Sequence, residues 1–370
     1  MRVVAGTRGY RLTLLGLGVL AVALLLALPY AIGTISGIGT LSQLVAYGVA
    51  IVGLGLLIGY CGQISLGGSA FVGLGGYTTI ILVADHGWPY LATLPVSIVI
   101  CLVAGALIGM PALRIQGLYL ATLTLAIAAL FPVVVDKFAG LTGGPNGKVA
   151  EDPMQVPTWL PVDPYSVTGP ATIRFYTIVL VAVVAFLVAY NIVHSRIGRA
   201  MIAVRDAPLG AAAAGVPVAR VKIFAFAMSA AFGGVAGSLL VIQLPEVSSA
   251  RFNLNLSIFL LVALIAGGSR TIWGAIPGAI VFVTLRTSIA DWASDQALFS
   301  GPRAGQLVGI LSGVLLLAFI FLLPGGVADG VRRLFRRFVD VVPTSPRGWQ
   351  DHQLLPARET PVPAEKRLVP

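Results

Sequence analysis

The stretch SRIGRAMIAVRDAPLGAAAAGVPVARVK, residues 195–222, separates two runs of almost pure hydrocarbon, 173–193 and 223–243. Only 10% of the chain is charged, yet this stretch gathers Arg196, Arg199, Arg205, Arg220 and Lys222 against a single acid, Asp206. Cations crowded between apolar runs mark a loop retained on the cytoplasmic side of a membrane. Composition agrees, because 57% hydrophobic residues and a mean hydropathy of +0.95 give more apolar surface than a soluble core can hide.

A hydrocarbon core about 30 Å thick takes roughly 20 apolar residues per helix. Working outward from the loop, such runs recur near 12–32, 38–58, 64–84, 91–112, 116–135, 173–193, 223–243, 255–268, 272–289 and 305–323. They are continuous and too long for barrel staves, so the expected fold class is all-α, a polytopic helical membrane protein of about ten spans. Gly267, Gly268 and Gly274 interrupt the eighth and ninth, which are expected to be irregular or broken.

With both ends cytoplasmic, ten spans leave 18 of the 24 Lys and Arg inside. The other six, Lys137, Lys148, Arg174, Arg251, Arg286 and Arg303, scatter among acids on or near the opposite side. The net charge of +10 is therefore a topology signal rather than a nucleic-acid footprint. A cleaved leader ending near Pro29, Tyr30 and Ala31 is the rival reading of the N-terminus. It leaves an odd number of spans and does not improve the charge distribution.

Little chemistry is encoded. Cys61 and Cys101 read as small buried hydrophobes, and His86, His194 and His352 occur singly, so no metal site is expected. The spans lack paired carboxylates and any Ser with a His and an acid, and no Walker A pattern occurs. The chain is expected to be no enzyme, to bind no cofactor, and to form a path without carrying the energy source.

The loop itself reads as a docking element. GRAMIAVR continues helically from the preceding span; Asp206 caps a new short helix with Pro208 in its first turn, Gly215 as its stop and Pro217 beyond. Ala207, Ala211, Ala212, Ala213 and Ala214 leave it a surface of small side chains that another protein can approach closely. The flanking arginines can pair with acids on that protein. The plainer alternative is an ordinary positive-inside loop.

From Ser195 to Leu239 the sequence SRIGRAMIAVRDAPLGAAAAGVPVARVKIFAFAMSAAFGGVAGSL resembles the coupling loop of ABC importer permeases, in particular the branched-chain amino acid permease family of the LivM type. GYCGQISLGGSAFVGLGGYT (59–78), LRIQGLYLATLTLA (113–126) and LTGGPNG (141–147) match in the family's order, covering most of 40–325. The departures are Gly68 where a His is common, Leu118 ahead of Tyr119, and Ser269 with Arg270 in place of a small pair. They leave the permease assignment intact and the solute open among amino acids, urea, amides and aromatic acids. A stand-alone channel or ion-coupled carrier is the alternative from another class.

The resemblance implies a bacterial inner-membrane subunit that forms the substrate path. It implies as partners a second, related LivH-type permease, two cytoplasmic ATPases holding ATP and Mg, and an extracytoplasmic solute-binding protein. Residues 1–325 form the permease domain, with the coupling loop at 195–222 and an extracytoplasmic loop at 136–172. Residues 326–370 form a basic, then Pro-rich cytoplasmic tail expected to lack structure. The ATPase contact is assigned to Arg196, Gly198, Arg199, Arg205, Asp206, Ala211, Ala212, Ala213, Gly215 and Arg220. The path is assigned to Gln63, Ser65, Gly67, Gly68, Tyr119 and Thr122, since polar groups within spans face a cavity or a partner.

Glycine supports dense packing. Pairs four residues apart arise by chance about five times for 44 glycines in 370 residues, and eleven occur, as close helix contact in lipid favours. The cluster Gly62, Gly67, Gly68, Gly73, Gly75 and Gly76 also suits a broken helix whose free backbone groups line a cavity.

Overall fold

Apolar runs in lipid must satisfy every backbone N–H and C=O internally, and these runs do so by coiling. The computed structural model describes residues 2–4, 29, 34–113, 117–150, 169–269, 271–295 and 340–342. Its main helices are α1 (Ile35–Leu54), which passes into a π-helical stretch Gly55–Tyr60, α2 (Gly68–His86), α3 (Tyr90–Gly109), α4 (Leu118–Lys137) and α5 (Gly169–His194). Then follow α6 (Arg196–Asp206), α7 (Pro208–Ala213), α8 (Val218–Gln243), α9 (Leu254–Gly267) and α10 (Ala275–Asp295). Thr34 caps α1 by accepting from the Gly37 N–H at 3.3 Å, and Gly87, at φ 64°, closes α2.

Six stretches are long and apolar enough to cross a membrane: Ile35–Tyr60, Gly68–His86, Tyr90–Leu113, Tyr119–Lys137, Ala171–His194 and Val218–Gln243. They correspond to the expected second to seventh spans. The runs 12–32 and 305–323 lie outside the described residues, as do residues 151–168 of the extracytoplasmic loop.

The expected irregularity of the eighth and ninth runs takes the form of a sharp bend. Leu254–Gly267 and Ile272–Thr284 form one pair bent by 119°. At 1.5 Å per residue α9 is about 21 Å long, short of the bilayer core. Glycines make the bend: a Cβ on Gly267 would lie 2.0 Å from the Gly274 carbonyl oxygen, and Gly268 sits at φ 107°. Two legs this close form a broken span or a re-entrant hairpin.

Helix α8 is the hub. In its most apolar stretch 89% of residues are buried, against 28% in α3, α4 and α5, whose outer faces are left for lipid or another subunit. Small residues bring neighbouring backbones onto α8. A Cβ on Gly75 would fall 2.2 Å from the Gly234 oxygen, one on Gly237 1.9 Å from the Val72 oxygen, and one on Gly105 2.4 Å from the Ala230 Cβ. Hydroxyls then tie the helices together. Thr93 donates to Thr79 (3.3 Å), Thr79 to Ser238 (2.8 Å) and Ser238 to Ser97 (3.0 Å), joining α2, α3 and α8. Ser257 donates to Ser69 at 2.7 Å, joining α9 to α2. Ser238→Ala leaves the buried Thr79 and Ser97 hydroxyls without a shared partner, and should lower unfolding stability in detergent titration by about 1 kcal/mol.

At one end of the bundle Lys148–Val149 (β2) pairs antiparallel with Glu246–Val247 (β3). Lys148 ion-pairs with Asp85, and Arg174 donates to the Gln243 carbonyl at 3.5 Å. Lys137, Lys148, Arg174 and Arg251 thus share this end, and Tyr60, His194 and the 195–217 segment occupy the other. The TGGPNG turn owes its glycines to this end. Gly143, Gly144 and Gly147 have φ of 80°, 61° and 74°, and a Cβ on Gly147 would lie 2.2 Å from the Val247 oxygen.

Met1–Leu24 and Arg333–Pro370 make a second unit, in which Arg2–Val4 (β1) pairs in parallel with Asp340–Val342 (β4). Three residues of the tail expected to lack structure are therefore paired. The rest of that tail lies outside the described residues.

Candidate functional site

The opening loop folds into two helices set off from the span before it. The expected helical continuation from α5 is interrupted at Ser195, whose Oγ accepts from the Ile197 and Gly198 N–H groups at 3.1 and 3.4 Å and donates to the Ile192 carbonyl at 2.6 Å. One serine thus closes α5 and caps α6. Gly198 is architectural, since a Cβ there would sit 2.1 Å from the Val193 oxygen. Arg199 serves the same corner by donating to the His194 carbonyl at 3.3 Å, one of the orphan acceptors at the α5 terminus. Gly198, Met201 and Val204, spaced by three, turn α6 onto the bundle, while Arg196 and Arg199 stay exposed.

Asp206 does not cap the short helix. It is the last residue of α6 and pairs with Arg205 at 2.8 Å, and the α7 N-cap is Ala207, with no side-chain bond. The stop at Gly215 is as expected. With φ 81° it forms a Schellman closure, Val216 N–H to Ala211 O at 2.9 Å and Gly215 N–H to Ala212 O at 3.0 Å. Ala211 turns inward, 5% exposed, whereas Ala212, Ala213 and Arg220 face out. Leu209 is 89% exposed at the tip of α7, an apolar knob that the emphasis on alanines overlooked. The outward face of α7 is therefore Leu209, Ala212 and Ala213.

Arg205 is not the outward docking charge expected of it. Its Nη1 donates to the Gly59 carbonyl at 2.6 Å, and its stem lies over Gly62, where a Cβ would come within 2.6 Å of Arg205 Cγ. Gly62 has φ 73°, so only glycine takes this place comfortably. The α6 helix is in this way bolted to the end of the first described span. Arg205→Glu breaks the bond and sets a carboxylate against a carbonyl and Asp206. It should open the 195–217 segment to limited proteolysis at least about tenfold faster, the scale of a lost charged hydrogen bond, with membrane abundance as control.

Beyond Gly62 the chain runs without helix through Gly67 before α2 starts. The expected break in the third span thus lies ahead of that helix. Gly73, Gly75 and Gly76 are packing glycines inside an unbroken α2. Gln63 and Ser65 are buried at 6% and 2% exposure. Neither amide atom of Gln63 has a hydrogen-bond partner, and Ser65 accepts from the Gly67 N–H at 3.3 Å. Leu66 N–H donates to Thr124 Oγ1 at 2.8 Å. The structure gathers Gln63, Ser65, Gly67 and Gly68 in one buried segment, but not Tyr119, 79% exposed, or Thr122, also exposed. Thr124, two residues further on, supplies the inward hydroxyl of α4. Burial pushes the Cys61 thiol up to about 11, partly opposed by Lys222, so it stays protonated and poorly nucleophilic. Among the described residues no group of three His, Cys, Asp or Glu is placed to hold a metal.

A bundle of apolar spans around a glycine-lined hub, with a buried polar segment bolted to an exposed helical loop, is the architecture of a multi-pass membrane protein. The family model described as branched-chain amino acid transport system, permease component, matches residues 36–320, and the chain belongs to that family. It is similar to the high-affinity branched-chain amino acid transport system permease protein LivM of Escherichia coli K12, with 28% identity over 312 residues, 79% of this chain and 71% of that one. The LivM protein of Salmonella typhimurium LT2 is 28% identical over 272 residues, 68% of this chain and 63% of its own length. No solved structure matches the chain.

Proposed function

We propose that this chain is the LivM-type permease subunit of an ATP-driven importer for branched-chain or other small amino acids in the bacterial inner membrane. It pairs with a second, related permease of the LivH type, receives its solute from an extracytoplasmic binding protein, and docks two ATPase subunits that hold ATP and Mg. The chain itself binds no cofactor. Both termini lie in the cytoplasm, a placement supported by the five cations of residues 195–222 and by 18 of the 24 Lys and Arg falling on that side when both ends are inside.

The observation that carries the reading is the link from α7 to the buried segment. A face of Leu209, Ala212 and Ala213 continues through α6 to Arg205, which holds Gly59 next to Gly62–Gly67. A push on the exposed helix therefore reaches the polar stretch of the spans through one bonded element. Gln63, Ser65, Gly67 and Gly68 line the path in this reading. Affinity purification of the tagged chain from native membranes should recover two ATPase copies and one further permease. Recovery of the chain alone or of self-oligomers, under conditions that keep it folded, would count against the proposal.

A further inference from the structure

The outer face of α5 is an apolar stripe with a polar foot. Leu180, Val184 and Leu187 are 65%, 54% and 57% exposed, and the same spacing of four and three carries the stripe on to the exposed Asn191 and His194. Tyr190 stands beside this foot, its ring centre 4.0 Å from that of His194. At 1.5 Å per residue the helix rises about 15 Å from Leu180 to Tyr190, half of a hydrocarbon core about 30 Å thick. The stripe thus matches a single leaflet, and Tyr190 falls at the depth of its headgroups, where a ring with a polar tip is favoured.

Two arginines meet the foot of the stripe. Arg199 is tied there by donating to the His194 carbonyl at 3.3 Å, and Arg196 lies one turn before it on α6. Both side chains are exposed. Asp206, the single acid of the 195–222 loop, pairs with Arg205, and among the described residues neither Arg196 nor Arg199 has an ion-pair partner.

The chemistry of this surface selects what covers it. Helices that associate in lipid bring small residues to the contact, but Ala182 and Ala189 of α5 are buried in the bundle and the outward stripe carries Leu and Val. A helix laid over the stripe would also enclose two guanidinium groups for which this chain supplies no acid, at a high desolvation cost. Acyl chains cover Leu and Val without that cost, and a phosphodiester at headgroup depth accepts hydrogen bonds from both guanidinium groups. A zwitterionic headgroup brings a cation of its own to two arginines, whereas an anionic one does not. We propose that the corner between α5 and α6 binds an anionic phospholipid of the cytoplasmic leaflet, with its phosphate on Arg196 and Arg199 and an acyl chain along Leu180, Val184 and Leu187. The headgroup braces α6 from outside, as the Arg205 bond to the Gly59 carbonyl does from within.

The test is native mass spectrometry of the purified full chain with dioleoyl phosphatidylglycerol and dioleoyl phosphatidylcholine, which differ only in the headgroup. Each arginine near an anionic surface contributes about fivefold, so the wild type should favour phosphatidylglycerol at least about twentyfold. Arg196→Gln and Arg199→Gln should each lower that preference about fivefold, and the double Gln variant should abolish it. The double Lys variant should keep most of it. Glutamine at 199 can still donate to the His194 carbonyl, and the melting temperature without added lipid serves as the folding control. Lys222→Gln removes the same charge elsewhere in the loop and should leave the preference as in the wild type. Equal binding of the two lipids by the wild type overturns the site, and so does a loss in Lys222→Gln as large as in the arginine variants, which would mean a diffuse positive field only. An unchanged preference in the folded double Gln variant also overturns it, and if that variant sheds the ATPase the two arginines belong to the ATPase contact instead. A Val184→Cys variant that crosslinks to another subunit in native membranes would put that subunit on the stripe and equally overturn the lipid site.

Discussion

Ala212→Trp and Ala213→Glu should each strip the ATPase subunits from the purified permease, lowering the retained amount at least about tenfold, with permease abundance in the membrane unchanged. Both residues face outward on α7, beyond the bundle, so neither substitution touches a span. A Trp on a face of small side chains holds the approaching surface off by several ångströms, and a Glu puts a desolvated charge into the contact. Leu209→Asp should do the same, because a leucine 89% exposed at the tip gains most from being covered. Ala211→Trp differs in kind. Ala211 is 5% exposed and its carbonyl closes the α7 turn, so that variant should unfold the loop and lower abundance as well. Full retention of the ATPase in all three outward variants would reduce the loop to a positive-inside tether.

Gly237→Val should prevent the bundle from assembling. An added Cβ would lie 1.9 Å from the Val72 oxygen and 2.7 Å from the Gly76 nitrogen, both backbone atoms of α2 that cannot swing aside. Overpacking a core typically costs about 1–3 kcal/mol when side chains can adjust. Here helices must separate, breaking the Thr79–Ser238–Ser97 chain as they do, and the loss should exceed that range. Gly140→Ala is the control, with nothing within 4 Å of its Cβ. Size-exclusion profiles and melting temperature in detergent should show Gly140→Ala as wild type and Gly237→Val as aggregated. A monodisperse Gly237→Val of normal stability would show that α2 and α8 are not packed in this way.

Run length alone located the six described spans, because a hydrocarbon slab fixes how many apolar residues a span needs. It could not give the 119° bend between α9 and α10. Gly267 and Gly274 mark an interruption in the sequence, but whether the chain then continues or turns back depends on what Gly267 meets across the bend. In the loop at 195–222 the stop at Gly215 was legible, since a left-handed closure needs glycine. The cap was misplaced by one residue: Asp206 ends α6 and is drawn to Arg205, so α7 starts from Ala207 with no side-chain bond, while Ser195 caps α6 at the sharp corner that Gly198 allows.

Arg205 itself reaches a carbonyl 146 positions earlier in the chain, a contact no local pattern announces. On α4 Tyr119 and Thr122 lie on the outer face, and the inward hydroxyl belongs to Thr124, whose partner Leu66 comes from another element.

The central claim is tested most directly by uptake into proteoliposomes holding the complete complex, with ATP inside and radiolabelled L-leucine plus the binding protein outside. The account predicts accumulation above the external concentration that requires hydrolysable ATP and is abolished by Ala212→Trp in this chain. Uptake that proceeds without ATP, or ATP-driven uptake that Ala212→Trp leaves intact, would contradict it.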